Sequence, residues 1–317
     1  MRVLVTGASG MLGRATATAL SERGDEVTVL QRRAAGLECR EVLGDVADPA
    51  VVARAVAGQE AVLHLAAKVD VTGPWAEYER ANVTGTRVVV DACRRAGVGR
   101  LVHVSSPSVA HDGAALVGVG AEPADPERAR GHYSRSKAVA EREALAADSA
   151  GLAVLVVRPH LVWGPGDTQL VERVVERARA GRLPVIGSGA ALIDTTYVDN
   201  AADALVAAAD AAVHGEALVV SNGEPRPVAE VIARLCRAAG VPAPRRRVPV
   251  GVAWAAGAAV EVVWAATQRR DTPPLTRFLT GQLSTAHWFD QRRTRAVLRW
   301  SPRVPLAEGF ARLAATY

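Results

Sequence analysis

Val3-Leu4-Val5-Thr6-Gly7-Ala8-Ser9-Gly10-Met11-Leu12-Gly13 is a β-branched run that passes through three glycines, spaced three apart, into Ala-rich sequence of helical character. Gly7 lets the chain turn sharply out of a strand. Gly10 lets the backbone approach a pyrophosphate with no Cβ in the way, and Gly13 lets the helix pack closely on the strand. The anion would rest on backbone amides at the positive end of the helix. Gly7, Ser9, Gly10, Met11, Leu12 and Gly13 are therefore the candidate dinucleotide cradle.

Outward from this stretch, short apolar runs alternate with longer helical ones. Residues 2–6, 26–31, 40–43, 61–66, 101–105 and 153–158 read as strands, and 11–23, 49–57, 78–96 and 133–149 as helices. Runs such as Val3-Leu4-Val5 and Val154-Leu155-Val156-Val157 lack polar alternation, as strands buried on both faces do. The expected fold is α/β, a doubly wound parallel sheet in residues 1–160, with a smaller substrate-binding region in 161–317. Residues 193–198 and 216–220 are strand-like and could return to the main sheet.

Composition narrows the function. Of 317 residues, 49% are hydrophobic and 22% charged, which excludes a disordered chain. Cys39, Cys93 and Cys236 are too widely spaced for a zinc motif or a disulfide framework, so a reducing cytoplasm is expected and no metal site is assigned. The N-terminus lacks the apolar run of a signal peptide. The formal charge is +5, but basic residues are scattered apart from Arg245-Arg246-Arg247 and Arg292-Arg293-Thr294-Arg295. No aromatic-interleaved basic stripe marks a nucleic-acid binder.

The end of the second strand selects the nicotinamide cofactor. A carboxylate there would hold the ribose hydroxyls of NAD; Leu30-Gln31-Arg32-Arg33 offers none. NADP(H) is favoured, with Arg32 and Arg33 as phosphate ligands, and NAD(H) stays open. Asp45 and Val46 follow the third strand, Asp45 placed to accept from the adenine amino group. Leu65, Ala66 and Ala67 supply small residues where the backbone would pass the cofactor, and His64 reads as a packed strand residue.

Tyr133-Ser134-Arg135-Ser136-Lys137 opens a helix. Positions i and i+4 share a face, so phenol and ammonium point into one space. The ammonium is expected to lower the tyrosine pKa from about 10 and fit it for acid–base work. With four tyrosines and two lysines in the chain, the pairing is an uncommon coincidence. Ser105 and Ser106 end the fifth strand, where a hydroxyl can hold a substrate oxygen.

These motifs resemble the extended short-chain dehydrogenases/reductases, which bind their cofactor on a Rossmann sheet. Within them the chain is most similar to the 3β-hydroxysteroid dehydrogenase group, through Val104-Ser105-Ser106-Pro107-Ser108-Val109, the Tyr133–Lys137 motif, Val157-Arg158-Pro159-His160-Leu161-Val162-Trp163-Gly164-Pro165-Gly166 and Thr196-Tyr197-Val198-Asp199-Asn200-Ala201. That group includes sterol dehydrogenases and bacterial reductases of long 2-alkyl-3-oxo acids. The resemblance implies Ser106, Tyr133 and Lys137 as the catalytic set, with Ser105 the fallback for Ser106. It implies that Lys137 also binds the nicotinamide ribose, that Pro159, His160 and Leu161 pass the carboxamide, and that Asn82 has a structural, cofactor-proximal role. It further implies a bulky hydrophobic substrate. A homodimer built on 78–96 and 133–149 is an analogy with the superfamily. The alternatives are a nucleotide-sugar epimerase or dehydratase on the same fold, and a non-catalytic cofactor-sensing protein.

Residues 248–267 are apolar except for Glu261. A membrane span is disfavoured by that carboxylate and by Pro249, Gly251 and Gly257. The segment reads as a buried helix, with an apolar substrate wall or peripheral membrane contact as the sharper readings.

Overall fold

The computed structural model describes residues 1–70, 73–267 and 273–317 of the chain. Seven parallel strands form the central sheet: β1 Arg2–Thr6, β2 Glu26–Gln31, β3 Arg40–Leu43, β4 Ala61–His64, β5 Arg100–Val104, β6 Ala153–Pro159 and β7 Glu216–Val220. Their order is β7-β6-β5-β4-β1-β2-β3. Winding reverses at β1, which pairs with β2 on one side (Val3 opposite Val27) and β4 on the other (Val3 opposite Ala61). In such sheets the ligand crevice lies beyond the carboxyl ends of the strands at this reversal.

The missing alternation has a direct cause. Val3, Val5, Val29, Leu63 and Leu155 point into one apolar layer with Leu20 and Leu205, whereas Leu4, Leu30, Val62, Leu101 and Val154 point into another with Val52, Val89 and Ala144. Both faces are dry, so every strand position wants an apolar residue.

The helix expected over 78–96 is helical throughout but not uniform. Trp75–Tyr78 and Gly85–Ala96 are α-helical and flank a π-helical turn, Glu79–Thr84. Beyond β6 the chain returns to the sheet once, as β7, with Leu218 opposite Val157. Residues 193–198 do not join it. Leu192–Ile193 enters a four-stranded sheet with Arg226–Pro227, His287–Phe289 and Leu116–Val119, and Thr196–Tyr197 pairs with Val162–Trp163. The Thr196 hydroxyl donates to the carbonyl of His160 at 2.7 Å, which fixes this segment beside the end of β6 rather than at a sheet edge. A third apolar cluster, centred on Trp163, Tyr197 and Phe310, holds the C-terminal region together.

Helix Val250–Thr267 corrects the buried-helix reading. Ala253 and Gly257 are buried, but Val252 is 59% exposed, Trp254 50% and Val262 68%. Trp254 lies under the Arg277 guanidinium, 5.6 Å from ring centroid to carbon. Among the described residues, no helix is long and apolar enough to cross a membrane.

Candidate active site

Each of the three glycines of the first loop has its own constraint. Gly7 has φ +81°, and a Cβ there would come within 2.9 Å of the Ala66 backbone. A Cβ on Gly13 would approach the Gly7 carbonyl oxygen to 2.3 Å, because the helix Met11–Glu22 sits directly on the turn. Gly10 is different: its φ of −87° suits any residue, and its Cβ would meet only the Gly7 oxygen at an ordinary 3.5 Å. The fold itself does not require glycine at 10, and the space beside it lies open to a group outside the loop. Gly10 caps the helix with no side-chain hydrogen bond, and the first turn carries no acid. Its amides and positive end are available to an anion, and the loop fits a dinucleotide pyrophosphate. Gly10→Ala is therefore expected to keep the wild-type melting temperature while weakening nucleotide binding about tenfold or more, measured by titration calorimetry.

The loop's neighbours come from β4 and β6. Thr6 Oγ1 accepts the amides of Leu65 (3.1 Å) and Ala66 (3.0 Å). Its own proton therefore goes to His64 Nδ1 at 2.8 Å, leaving Nε2–H to reach Thr86 at 3.1 Å. This uses both nitrogens of a neutral ring, which burial and the nearby Lys137 push down to about 3. His64 is a structural residue, as read from the sequence. Past Pro159, Leu161 adopts φ +43°, an uncommon conformation for a branched residue, held by Thr196 donating its amide to the Leu161 carbonyl.

Beyond β2, Arg32 and Arg33 are exposed. Gln31 is buried and donates from Nε2 to Glu41, which also accepts the Ala35 amide at 2.8 Å. Arg14 closes the same turn through the Ala35 carbonyl. Glu41 was not singled out in the sequence because it belongs to the next strand, opposite Val29. Asp45 accepts from the Ala47 amide at 2.9 Å and from Arg80 at 3.0 Å. Burial works against its charge, yet these two donors hold the carboxyl below its ordinary range.

Tyr133, Lys137 and Ser106 meet at the carboxyl end of β5. Ser106 caps a short 3-10 helix, Pro107–Ala110, and its Oγ accepts from the Ser108 hydroxyl (3.0 Å) and amide (3.3 Å). Its own proton is left to donate, and it lies within hydrogen-bonding reach of the Tyr133 phenol. Ser105 is buried, with its hydroxyl unpartnered among the described atoms. Asn82, in the π-helical turn, accepts the Lys68 amide at 2.7 Å and donates to Ser136 Oγ at 2.8 Å; Ser136 in turn donates to the Tyr133 carbonyl. The asparagine thus clasps the first turn of helix Gly131–Leu145 to the segment after β4.

The electrostatics differ from expectation. Burial raises the Tyr133 pKa above its ordinary value, and the Ser106 hydrogen bond pulls it only partly back. Lys137 Nζ donates to the Val104 carbonyl at 2.6 Å and faces His103 Nε2 at 3.4 Å. Burial brings the Lys137 ammonium down to about 8, against the pull of Glu141. His103 is buried and held well below its ordinary range, so it accepts from the ammonium as a neutral ring.

Three further histidines lie where β6 meets the smaller sheet. His160 packs on Phe289 (centroids 4.9 Å apart) and on His287 (5.8 Å), which packs on His111 (5.6 Å). Burial keeps them neutral, His160 at about 3 and His287 at about 4. This favours packing for His160, whose amide donates to Val220. An open pocket of about 410 Å³ nearby is lined by Asp194, Gly223, Phe289, Gln291, Arg292 and Arg295.

Residues 3–221, from β1 to just past β7, match the NAD dependent epimerase/dehydratase family. The chain belongs to that family. Within it, the chain is 42% identical over 327 aligned residues to 2-alkyl-3-oxoalkanoate reductase of Stenotrophomonas maltophilia, covering 100% of this chain and 99% of the relative. It is 28% identical to the decarboxylating sterol-4-alpha-carboxylate 3-dehydrogenase of Mus musculus, over 97% of this chain and 88% of that one. Among solved structures it is similar to MoeE5 in complex with UDP-glucuronic acid and NAD, with a TM-score of 0.77 and 27% identity over 100% of this chain and 98% of that one.

This epimerase/dehydratase-family chain is a nicotinamide-dependent oxidoreductase of the extended short-chain type, and its sheet is the Rossmann-like sheet of its structural neighbours. One further pair supports helix Gly131–Leu145. Glu141, one turn past Lys137, meets Arg158 of β6 with both groups buried; Arg158 Nε donates at 2.9 Å and Nη2 makes a second bond. Arg158 Nη1 also donates to the Glu122 carbonyl at 2.7 Å. The sequence carried Arg158 only as part of a motif and gave no sign of its partner.

Proposed function

We propose that the protein reduces the ketone of a bulky, hydrophobic 3-oxo acid or 3-oxosteroid, with NADPH as the preferred cofactor. The observation that carries this reading is the meeting of the Ser106 hydroxyl and the Tyr133 phenol at the end of β5, with Lys137 one helical turn away. The relatives that align over the whole chain are named for reduction or oxidation at carbon 3 of such substrates.

When bound, the nicotinamide supplies the hydride for the carbonyl carbon. Ser106 donates to the carbonyl oxygen and holds it against Tyr133. The Tyr133 phenol gives its proton to that oxygen as negative charge develops. A raised phenol pKa keeps the proton in place at neutral pH, which suits an acid in the reductive direction. Lys137 holds the nicotinamide ribose, and its positive charge stabilises the phenolate left when Tyr133 gives up its proton. Arg32 and Arg33 hold the phosphate that distinguishes NADPH.

Activity should appear as NADPH oxidation with a long 2-alkyl-3-oxo acid or a 3-oxosteroid, and not with a UDP-sugar. Turnover of the sugar nucleotide alone would reverse the assignment. In the C-terminal pocket Arg292 is paired with Asp290 at 2.6 Å and Asp194 adds a carboxylate, which leaves Arg295 as the one lining cation without an ion pair among the described residues. Arg32→Ala should weaken NADPH binding about 10- to 100-fold, the worth of a charge-assisted phosphate contact, and leave NADH binding unchanged. Equal loss for both cofactors, in parallel fluorescence titrations, would place the arginine outside the phosphate site.

A further inference from the structure

Helix Val250–Thr267 is apolar on every side, yet most of it faces outward. Such helices are ordinarily covered. Its inner face is accounted for: Gly257 packs so closely on the next helix, Arg277–Ser284, that a Cβ would come within 2.7 Å of the Thr276 carbonyl carbon. Its only ionisable residue, Glu261, is neutralised by Arg277 at 2.7 Å. The outer face presents Val252, Trp254, Val262 and Val263, each about half exposed or more, with no charge among them.

The flanks carry the charge instead. Arg245, Arg246 and Arg247 are all exposed and precede the helix by three residues, and Arg269-Arg270 follow it in the sequence. The first group is fixed in place. Arg247–Val248 pairs with Val185–Ile186, and the Arg246 carbonyl accepts the Val185 amide at 2.9 Å. An uncharged apolar ridge that carries a tryptophan and is preceded by three exposed arginines complements an anionic bilayer: side chains enter the acyl boundary and guanidinium groups meet the headgroups.

We propose that this helix docks the protein on the surface of anionic membranes, lying on the bilayer without crossing it. The ridge is coupled to the interior. Thr280 of the underlying helix reaches the Ala253 carbonyl at 3.4 Å, and Gln282 of the same helix reaches His111, five residues past Ser106, at 3.4 Å. Docking would thus bring the helix that reaches His111 against the lipid surface. This extends the hydrophobic-substrate reading but is tested without any substrate, so its failure leaves the reductase reading standing.

The test is flotation of the full chain with phosphatidylcholine vesicles, with and without about one-third phosphatidylglycerol. The expected result is binding at least about tenfold tighter to the anionic vesicles, weakened by salt. Val262→Asp combined with Val263→Asp should lose at least about tenfold, as should Arg245→Glu, Arg246→Glu and Arg247→Glu together, with circular dichroism unchanged. The substituted positions are exposed, so the fold is expected to survive. Absence of binding to either vesicle overturns the proposal, as does equal binding by wild type and both variants. A wild-type dimer that Val262→Asp/Val263→Asp splits, with no vesicle binding, assigns the face to a second copy instead.

Discussion

Tyr133→Phe is expected to give a folded, nucleotide-binding protein whose turnover has fallen about 10²–10⁴-fold, the usual worth of a positioned general acid. The ring stays in its packing and only the hydroxyl is lost, along with its bond to Ser106. The pH profile of reduction should identify the groups. The phenol is raised by burial and stays protonated through neutral pH, whereas Lys137 sits at about 8. Reduction by the wild type should therefore decline as pH rises through about 8, because the ammonium loses its charge before the phenol loses its proton. Turnover near wild type in a folded Tyr133→Phe protein would remove the tyrosine from the chemistry and leave a cofactor-binding protein.

The second large effect is on stability. Glu141 and Arg158 are both essentially inaccessible to water, with the carboxylate held by two guanidinium donors. Glu141→Ala leaves the guanidinium buried without its counter-charge, and the expected cost is about 3–5 kcal/mol. At this chain length that corresponds to a drop on the order of 10 °C in melting temperature by calorimetry. The double variant Glu141→Leu with Arg158→Met should recover most of the loss, because a packed apolar pair avoids the desolvation that an unmatched ion suffers. A single variant as stable as wild type would mean that water reaches the guanidinium.

The Rossmann half of the fold was readable because each of its strands is apolar at consecutive positions and is followed by a helix or turn. The glycines and the Tyr133–Lys137 pair were readable because both are local, lying on one loop and one helix face. What failed was non-local. The Lys137 ammonium is held by a carbonyl on β5, 33 residues earlier, and no sequence spacing announces that. The lowered tyrosine pKa was expected from the i, i+4 relation alone, but burial decides it. Leu192–Ile193 and Thr196–Tyr197 are two-residue strands, too short to show a period. The helix at 250–267 was recognisable from its composition, but composition does not say which medium covers its outer face.

The π-helical turn at Glu79–Thr84 makes one continuous helix serve two directions. A π turn takes one residue more than an α turn, so the segments on either side are offset in phase by about 100°. Ahead of the offset, the Tyr78 hydroxyl donates to the Asp70 carbonyl at 2.6 Å. Within it, Asn82 clasps helix Gly131–Leu145 through Ser136. After it, Gly85 fits against Val46, and Thr86 meets His64 beneath the end of β4. An unbroken α-helix of this sequence could keep one set of these contacts in register but would turn the other away. The surplus residue therefore acts as a coupling joint, letting one rod be anchored to the central sheet and to helix Gly131–Leu145 at once. Loss of a single residue from this turn should uncouple the two more thoroughly than most substitutions within it.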